Sequence, residues 1–154
     1  MRLSRRRPWR RRRRRLPSIV VVDAGQVEQL ITRYNEAWNR HDVDAISSFH
    51  SPAIVFENHT AGERVDGLAA VAEHIAGIFS RWSDLSFSTR RLYVREDFAA
   101  CEWTAGATAS DGRSLEWDGV DLFPIADERI ARKDVYSGSG APRVLAERPD
   151  RATR

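Results

Sequence analysis

The stretch Ser114-Leu-Glu-Trp-Asp-Gly-Val-Asp-Leu-Phe-Pro-Ile125, followed after the turn Ala126-Asp-Glu-Arg129 by Ile130-Ala-Arg-Lys-Asp-Val-Tyr-Ser137, decides how this chain folds. Successive side chains of a strand point to opposite faces. One face of the first run therefore carries Leu115, Trp117, Gly119, Asp121 and Phe123, and the other carries Glu116, Asp118, Val120 and Leu122. A carboxylate among large apolar residues is costly unless it is partnered or functional. The pattern is that of a sheet lining a pocket with a polar floor, not of a plain core.

Working outward, everything after Asp84 reads as strand. Leu85–Arg95 is a long run whose alternation breaks at Arg90-Arg91, the mark of a bulge or a surface crossing. Glu96-Asp97 turns it into Phe98–Ala109, and Ser110-Asp-Gly-Arg113 is a hairpin turn into Ser114. Before Asp84 the chain is mostly helical. Val27, Leu30, Ile31, Tyr34 and Trp38 fall at helical spacing, with Asp23 available as N-cap and an end near Arg40–His41. Asp42 caps a short second helix that Ser51-Pro52 stops. Ala53–Asn58 reads as a strand and His59–Asp66 as a turn with a brief returning strand. Asp66-Gly67 opens a third helix with Leu68, Val71, Ile75, Phe79 and Trp82 on one face.

Helices segregated from a meandering sheet define an α+β fold. We expect a cone: a curved antiparallel or mixed sheet wrapped around a long N-terminal helix, with two further helices. The expected domains are a basic arm over 1–22, one cone domain over 23–139, and a polar tail over 140–154 that starts at Gly138, Gly140 and Pro142. A chain of 154 residues suffices for one such core and not for two.

The formal charge of +3 hides a division. Residues 1–16 hold ten arginines and no acid, so the remainder has 15 basic against 22 acidic residues, a formal −7. An arm of that density does not fold alone and is expected to be disordered. It suits polyanions or an anionic membrane surface, or reflects a translation start placed too far upstream. Only Ile19–Val22 follows as an apolar run, short of the roughly 7–15 residues of an export signal. An acidic domain without interleaved basic and aromatic surface implies no specific nucleic-acid partner. No apolar stretch is long enough for membrane insertion, and the single cysteine, Cys101, fits a cytoplasmic protein. The four histidines show no metal-ligand spacing, so no metal site is expected.

This order of elements resembles the superfamily of nuclear transport factor 2, ketosteroid isomerase and the SnoaL-like polyketide cyclases. The resemblance runs from Val27 to Ser139. It rests on Tyr34-Asn-Glu-Ala-Trp38 with His41-Asp-Val-Asp-Ala45, Ala53-Ile-Val-Phe-Glu57, Gly67, and Asp118-Gly-Val-Asp-Leu-Phe123 before Arg129-Ile130. It implies that the catalytic tyrosine of the isomerases falls on Tyr34 and their general base on Glu57. Their second, oxyanion-binding acid falls on Gly119, so that donor is missing. Asp121, two residues on and facing the same way, stands in the manner of the strand aspartate of SnoaL-like cyclases.

A carboxylate in an apolar cone suits proton abstraction beside a carbonyl, and a tyrosine hydroxyl suits the developing oxyanion. The plainer readings stand beside these: Tyr34 as a core residue with a satisfied hydroxyl, Glu57 as a strand end facing water, and Asp121 in an ion pair with Lys133 or Arg132. Lys133, the sole lysine, is a candidate for the same pocket. Val55, Trp38, Phe79, Trp82, Trp103 and Trp117 supply candidate walls, although each aromatic also fits a core stripe. The expected function is a small-molecule pocket protein of SnoaL-like type, a cofactor-free isomerase, cyclase or dehydratase acting on a hydrophobic carbonyl compound. The alternative is a non-catalytic ligand-binding or dimerisation module of the same fold. The outer sheet face, with Glu116, Asp118, Val120 and Leu122, suits a homodimer contact.

Overall fold

The computed structural model describes residues 23–146; the basic arm and the end of the expected tail lie outside them. The elements are α1 (Ala24–Asn39), α2 (Val43–Ser48), β1 (His50–Asn58), β2 (Glu63–Asp66), α3 (Leu68–Arg81), β3 (Ser86–Arg95), β4 (Phe98–Thr108), β5 (Ser114–Ala126), β6 (Arg129–Ser137) and β7 (Arg143–Ala146). The strands form one mixed, curved sheet in the order β2-β1-β6-β5-β4-β3, with β7 added beside β5. β1 and β6 run parallel and the other neighbours antiparallel. Three helices against this sheet make the expected α+β cone.

α1 starts where the sequence places it. Asp23 accepts from the Gln26 amide at 2.8 Å while the Gln26 side chain returns to the Asp23 amide, a closed capping box. Its apolar stripe, Val27, Ile31, Tyr34, Ala37 and Trp38, is buried. At its far end the Asn39 side chain bonds both the amide and the carbonyl of Phe87, pinning the helix to β3. Asp42 caps α2 through the Ala45 amide. Gly67, at φ 90°, turns the chain from β2 into α3, a backbone angle that glycine adopts without strain.

The face assignment of β5 holds along its length. Leu115, Trp117, Asp121, Phe123 and Ile125 are buried, and β4 opposite contributes Ala99, Cys101, Trp103, Ala105 and Ala107. β3 shows the expected irregularity at Arg90, where its register against β4 shifts between Thr89 and Arg91.

Three expectations need correction. β1 begins at His50, not Ala53, and takes in Pro52; six residues of β1, His50 to Val55, span three of β6, Ile130 to Arg132. Proline is tolerated there because an irregular stretch has no regular ladder bond to lose. Leu68, expected on the apolar face of α3, lies at its first position and is exposed. The expected tail from residue 140 includes β7, held by Arg143, whose guanidinium reaches Glu116 and Asp118 at 2.8 Å each.

His50, at the start of β1, is buried under α1 and shares a 3.0 Å hydrogen bond with the Tyr34 hydroxyl. Burial, aided by the charge of Lys133, lowers its pKa from 6.5 to about 4. The unfolded chain therefore takes up a proton near pH 6.5 that the folded chain refuses until about pH 4. Stability is complete above pH 6.5 and is lost as the pH falls through that window, by about 3 kcal/mol in all. Urea unfolding of the wild type and of His50→Phe between pH 7 and 4 checks this: the variant is expected to lose most of the slope.

Candidate active site

Between α1, α3 and the concave face of the sheet lies a cavity of about 410 Å³, within the range of small-molecule sites. The sheet supplies its floor. β5 turns Asp121 and Trp117 inward, β6 turns Lys133 and Val135 inward, and β1 adds Phe56 and Asn58. α3 offers His74, Gly77, Ile78 and Arg81, an i, i+3, i+4, i+7 stripe alongside the one that faces the core. Trp38 of α1, Trp103 of β4 and Trp82 complete an aromatic wall.

The centre of the floor is an ion pair. Lys133 Nζ lies 2.7 Å from Asp121 Oδ2, with the two side chains 7% and 8% exposed. The ammonium sits 4.4 Å from the ring centre of Trp38, 5.3 Å from Tyr34 and 5.4 Å from Phe123, distances at which aromatic faces attract a cation. Burial works to strip the proton from Lys133, but the Asp121 carboxylate together with Tyr34 and Cys101 outweighs it and the pKa stands above the ordinary lysine value. Lys133 is a cation at neutral pH. Asp121 Oδ1 is buried without a hydrogen-bond partner, as are the indole Nε1 atoms of Trp38 and Trp103 and the imidazole Nε2 of His74.

The expected residues divide sharply. Asp121, Lys133, Trp38, Trp82, Trp103 and Trp117 all line the cavity. Tyr34 does not: it is buried beneath the floor, its hydroxyl is held by His50, and burial raises its phenol pKa above the ordinary value. Phe79 is core behind the wall, edge-on to Trp38 at 5.3 Å and stacked on His41 at 4.1 Å. Val55 and Glu57 lie on the opposite face of the sheet. The parallel register pairs Phe56 with Lys133 and Glu57 with Asp134, so Phe56 enters the cavity and Glu57 leaves it. Tyr34, Glu57 and Asp121 therefore do not converge on one substrate atom.

On the outer face Glu57 joins a polar network. Arg132 pairs with Glu57 and, at 2.6 Å, with Asp134; His59 Nε2 lies 2.7 Å from Asp134. Ligand atoms of Glu57, His59 and Asp134 fall within 4.8 Å of one another, the one such cluster among the described residues. Arg132 already supplies the positive charge between the two carboxylates.

Gly119 has its own reason. A Cβ built there would lie 2.3 Å from two ring atoms of Trp103, whose indole crosses the backbone at this point. The space that a side chain at this position would take is filled by an aromatic ring. Sequence reasoning missed Phe56, Asn58, His74, Ile78, Arg81 and Phe87 as cavity residues. The α3 spacing was a usable signal, but it mixes charged and apolar types and lies beside a stronger apolar stripe.

Residues 31–133 match the SnoaL-like domain, more than half of the chain, and the chain belongs to that family. Among solved structures it is similar to SalBIII, an epoxide hydrolase/cyclase-like enzyme with a role in pyran ring formation in the polyether salinomycin. That pair shares 18% identity over 79% of this chain and 97% of the other, with a TM-score of 0.70. It is similar to TerC co-crystallised with polyporic acid, at 16% identity over 75% and 94% of the two chains and a TM-score of 0.69. An NTF2-like protein of unknown function from Mesorhizobium loti is 25% identical over 74% and 92%, with a TM-score of 0.62. No curated protein sequence matches the chain. No helix among the described residues is long and apolar enough to cross a membrane.

Proposed function

We propose that this SnoaL-like protein is a cofactor-free acid/base enzyme, an isomerase, cyclase or dehydratase, acting on a hydrophobic carbonyl compound held in the aromatic cavity. The observation that carries the reading is the buried Asp121–Lys133 pair on the cavity floor. In this reading Asp121 takes the proton from a carbon beside the substrate carbonyl. The charge that moves onto the carbonyl oxygen is met by the Lys133 ammonium, a fixed cation in a site poor in water. Glu57 and Tyr34 do not touch the substrate; Tyr34 acts only by packing beneath Lys133.

The test begins with thermal-shift screening, since a bound ligand raises apparent stability. Polyporic acid and pyran-forming compounds come first, because the solved relatives carry those associations. With a substrate in hand, Asp121→Asn is expected to keep binding and lose about 10²-fold or more in kcat, while Glu57→Gln changes neither. Full turnover in Asp121→Asn, or its loss in Glu57→Gln, overturns the assignment. Gly119 favours a second reading, a non-catalytic binding module, since Trp103 occupies the place of an oxyanion donor. Ligands that shift the melting temperature but are recovered unchanged from the wild type support that reading instead.

A further inference from the structure

Behind the Asp121–Lys133 pair is a second, much smaller chamber that the proposed chemistry does not use. It offers about 20 Å³ to the centre of a water molecule, against the about 10–15 Å³ that a single water requires. Trp38, Phe87, Trp103, Asp121 and Lys133 line both it and the large cavity, while Cys101, which is buried, and Thr89, which is exposed, line only the smaller one. Asn35 also reaches it, but its amide already bonds Thr89 Oγ1 at 3.2 Å and Cys101 Sγ at 3.5 Å.

Three of these walls each carry a buried polar atom without a hydrogen-bond partner: Trp38 Nε1, Trp103 Nε1 and Asp121 Oδ1. Unpartnered buried polar atoms are rare in native folds and call for an explanation. Three around one small space call for a common one. Two indole N–H donors and one carboxylate acceptor are complementary to a single water, which accepts twice and donates once. Its second hydrogen is left for Thr89 Oγ1 or Cys101 Sγ. Buried waters characteristically make about three such bonds.

We propose that this chamber binds one long-lived water, held by the Trp38 and Trp103 indoles and by Asp121 Oδ1, as a built-in part of the site. With Lys133 on Oδ2 and the water on Oδ1, both oxygens of Asp121 are tied and the plane of its carboxylate is fixed. Trp38 and Trp103 are positioning residues that act on Asp121 through the water. The bearing on turnover rests on the acid/base role of Asp121 proposed above; the water site itself does not.

The experiment is nuclear magnetic resonance on the labelled full chain without ligand. Cross-relaxation with water is expected at the indole Nε1 protons of both Trp38 and Trp103, with the sign of a water resident for longer than the tumbling time. Trp103→Phe keeps an aromatic ring, smaller than the indole, and removes the donor. It is expected to shift the Asp121 carboxyl carbon resonance and to weaken the water signal at Trp38; the second change is the diagnostic one, since an altered ring current also produces the first. Cys101→Val adds bulk to the chamber and is expected to abolish both water signals. Absence of the signal at both indoles in the wild type, or its survival in a folded Cys101→Val, overturns the proposal. Should Cys101→Val fail to fold, a wild-type crystal structure decides: an ordered water within 3.2 Å of Asp121 Oδ1 supports the site, and a chamber without density overturns it.

Discussion

Replacing Lys133 with methionine is expected to cost the folded protein about 3–5 kcal/mol, the usual consequence of removing one partner of a buried ion pair. Methionine has nearly the shape of the lysine stem, so the aromatic packing around it survives. What is lost is the charge that offsets Asp121, a side chain 8% exposed on the cavity floor. The double variant Lys133→Met, Asp121→Leu removes both charges together and is expected to return to wild-type stability or exceed it, since an apolar pair of similar volume avoids the desolvation of two ions. Urea unfolding of the single and double variants checks both halves. A single variant within about 1 kcal/mol of wild type would mean that water reaches Asp121 and that the pair is not buried in solution. The contrast also separates stability from function. A double variant more stable than its parent yet without turnover is the behaviour of a pair kept for chemistry.

The second large effect is expected at Gly119. Real Cβ atoms do not approach a neighbour to within 2.3 Å, and Trp103 cannot swing aside, because it is buried and set edge-to-face against Phe87 at a centroid distance of 5.3 Å. Gly119→Ala is expected to destabilise by about 1–3 kcal/mol through overpacking, and Gly119→Asp by more, since it adds a carboxylate against the ring. In a Trp103→Val background the alanine is expected to cost nothing further, because the clash and its cause disappear together. Chemical unfolding of the four chains gives the coupling directly; an additive pair would show that the ring is not the obstacle. A single substitution that places a carboxylate at position 119 is thus closed to this protein.

What the sequence shows, and what it conceals, follows from strand regularity. β5 is thirteen residues long and pairs in unbroken register with β4, so simple alternation places Asp121, Trp117 and Phe123 correctly. The pairing of Asp121 with Lys133 was among the readings open from residue types alone. β1 defeats the same reasoning. Its irregular half conceals three residues more than β6 uses over the same span, and no local pattern announces the change of face that puts Phe56 in and Glu57 out. α1 was legible to its capping box, whereas Tyr34 and Trp38 share one helical stripe and still divide between core and cavity. A stripe reports that a side chain is covered, not by what. β7 is four residues long and follows Gly138, Gly140 and Pro142; it exists because β5 extends beyond the end of β6 and Arg143 finds two carboxylates there.

The slack in β1 has an evolutionary consequence. Strand phase, more than residue identity, decides which carboxylate meets a ligand on this scaffold, because a step of one residue exchanges the two faces of a strand. Deleting one residue between Ser51 and Ile54 moves the second half of β1 by one step against β6. Glu57 then takes the place of Phe56 beside Lys133, and the outer network of Arg132 and Asp134 loses its second acid. The residue beside Lys133 is therefore one codon's deletion away from exchange, in a stretch of strand that already tolerates irregular pairing. Descendants of such a chain would differ in mechanism while keeping nearly every side chain.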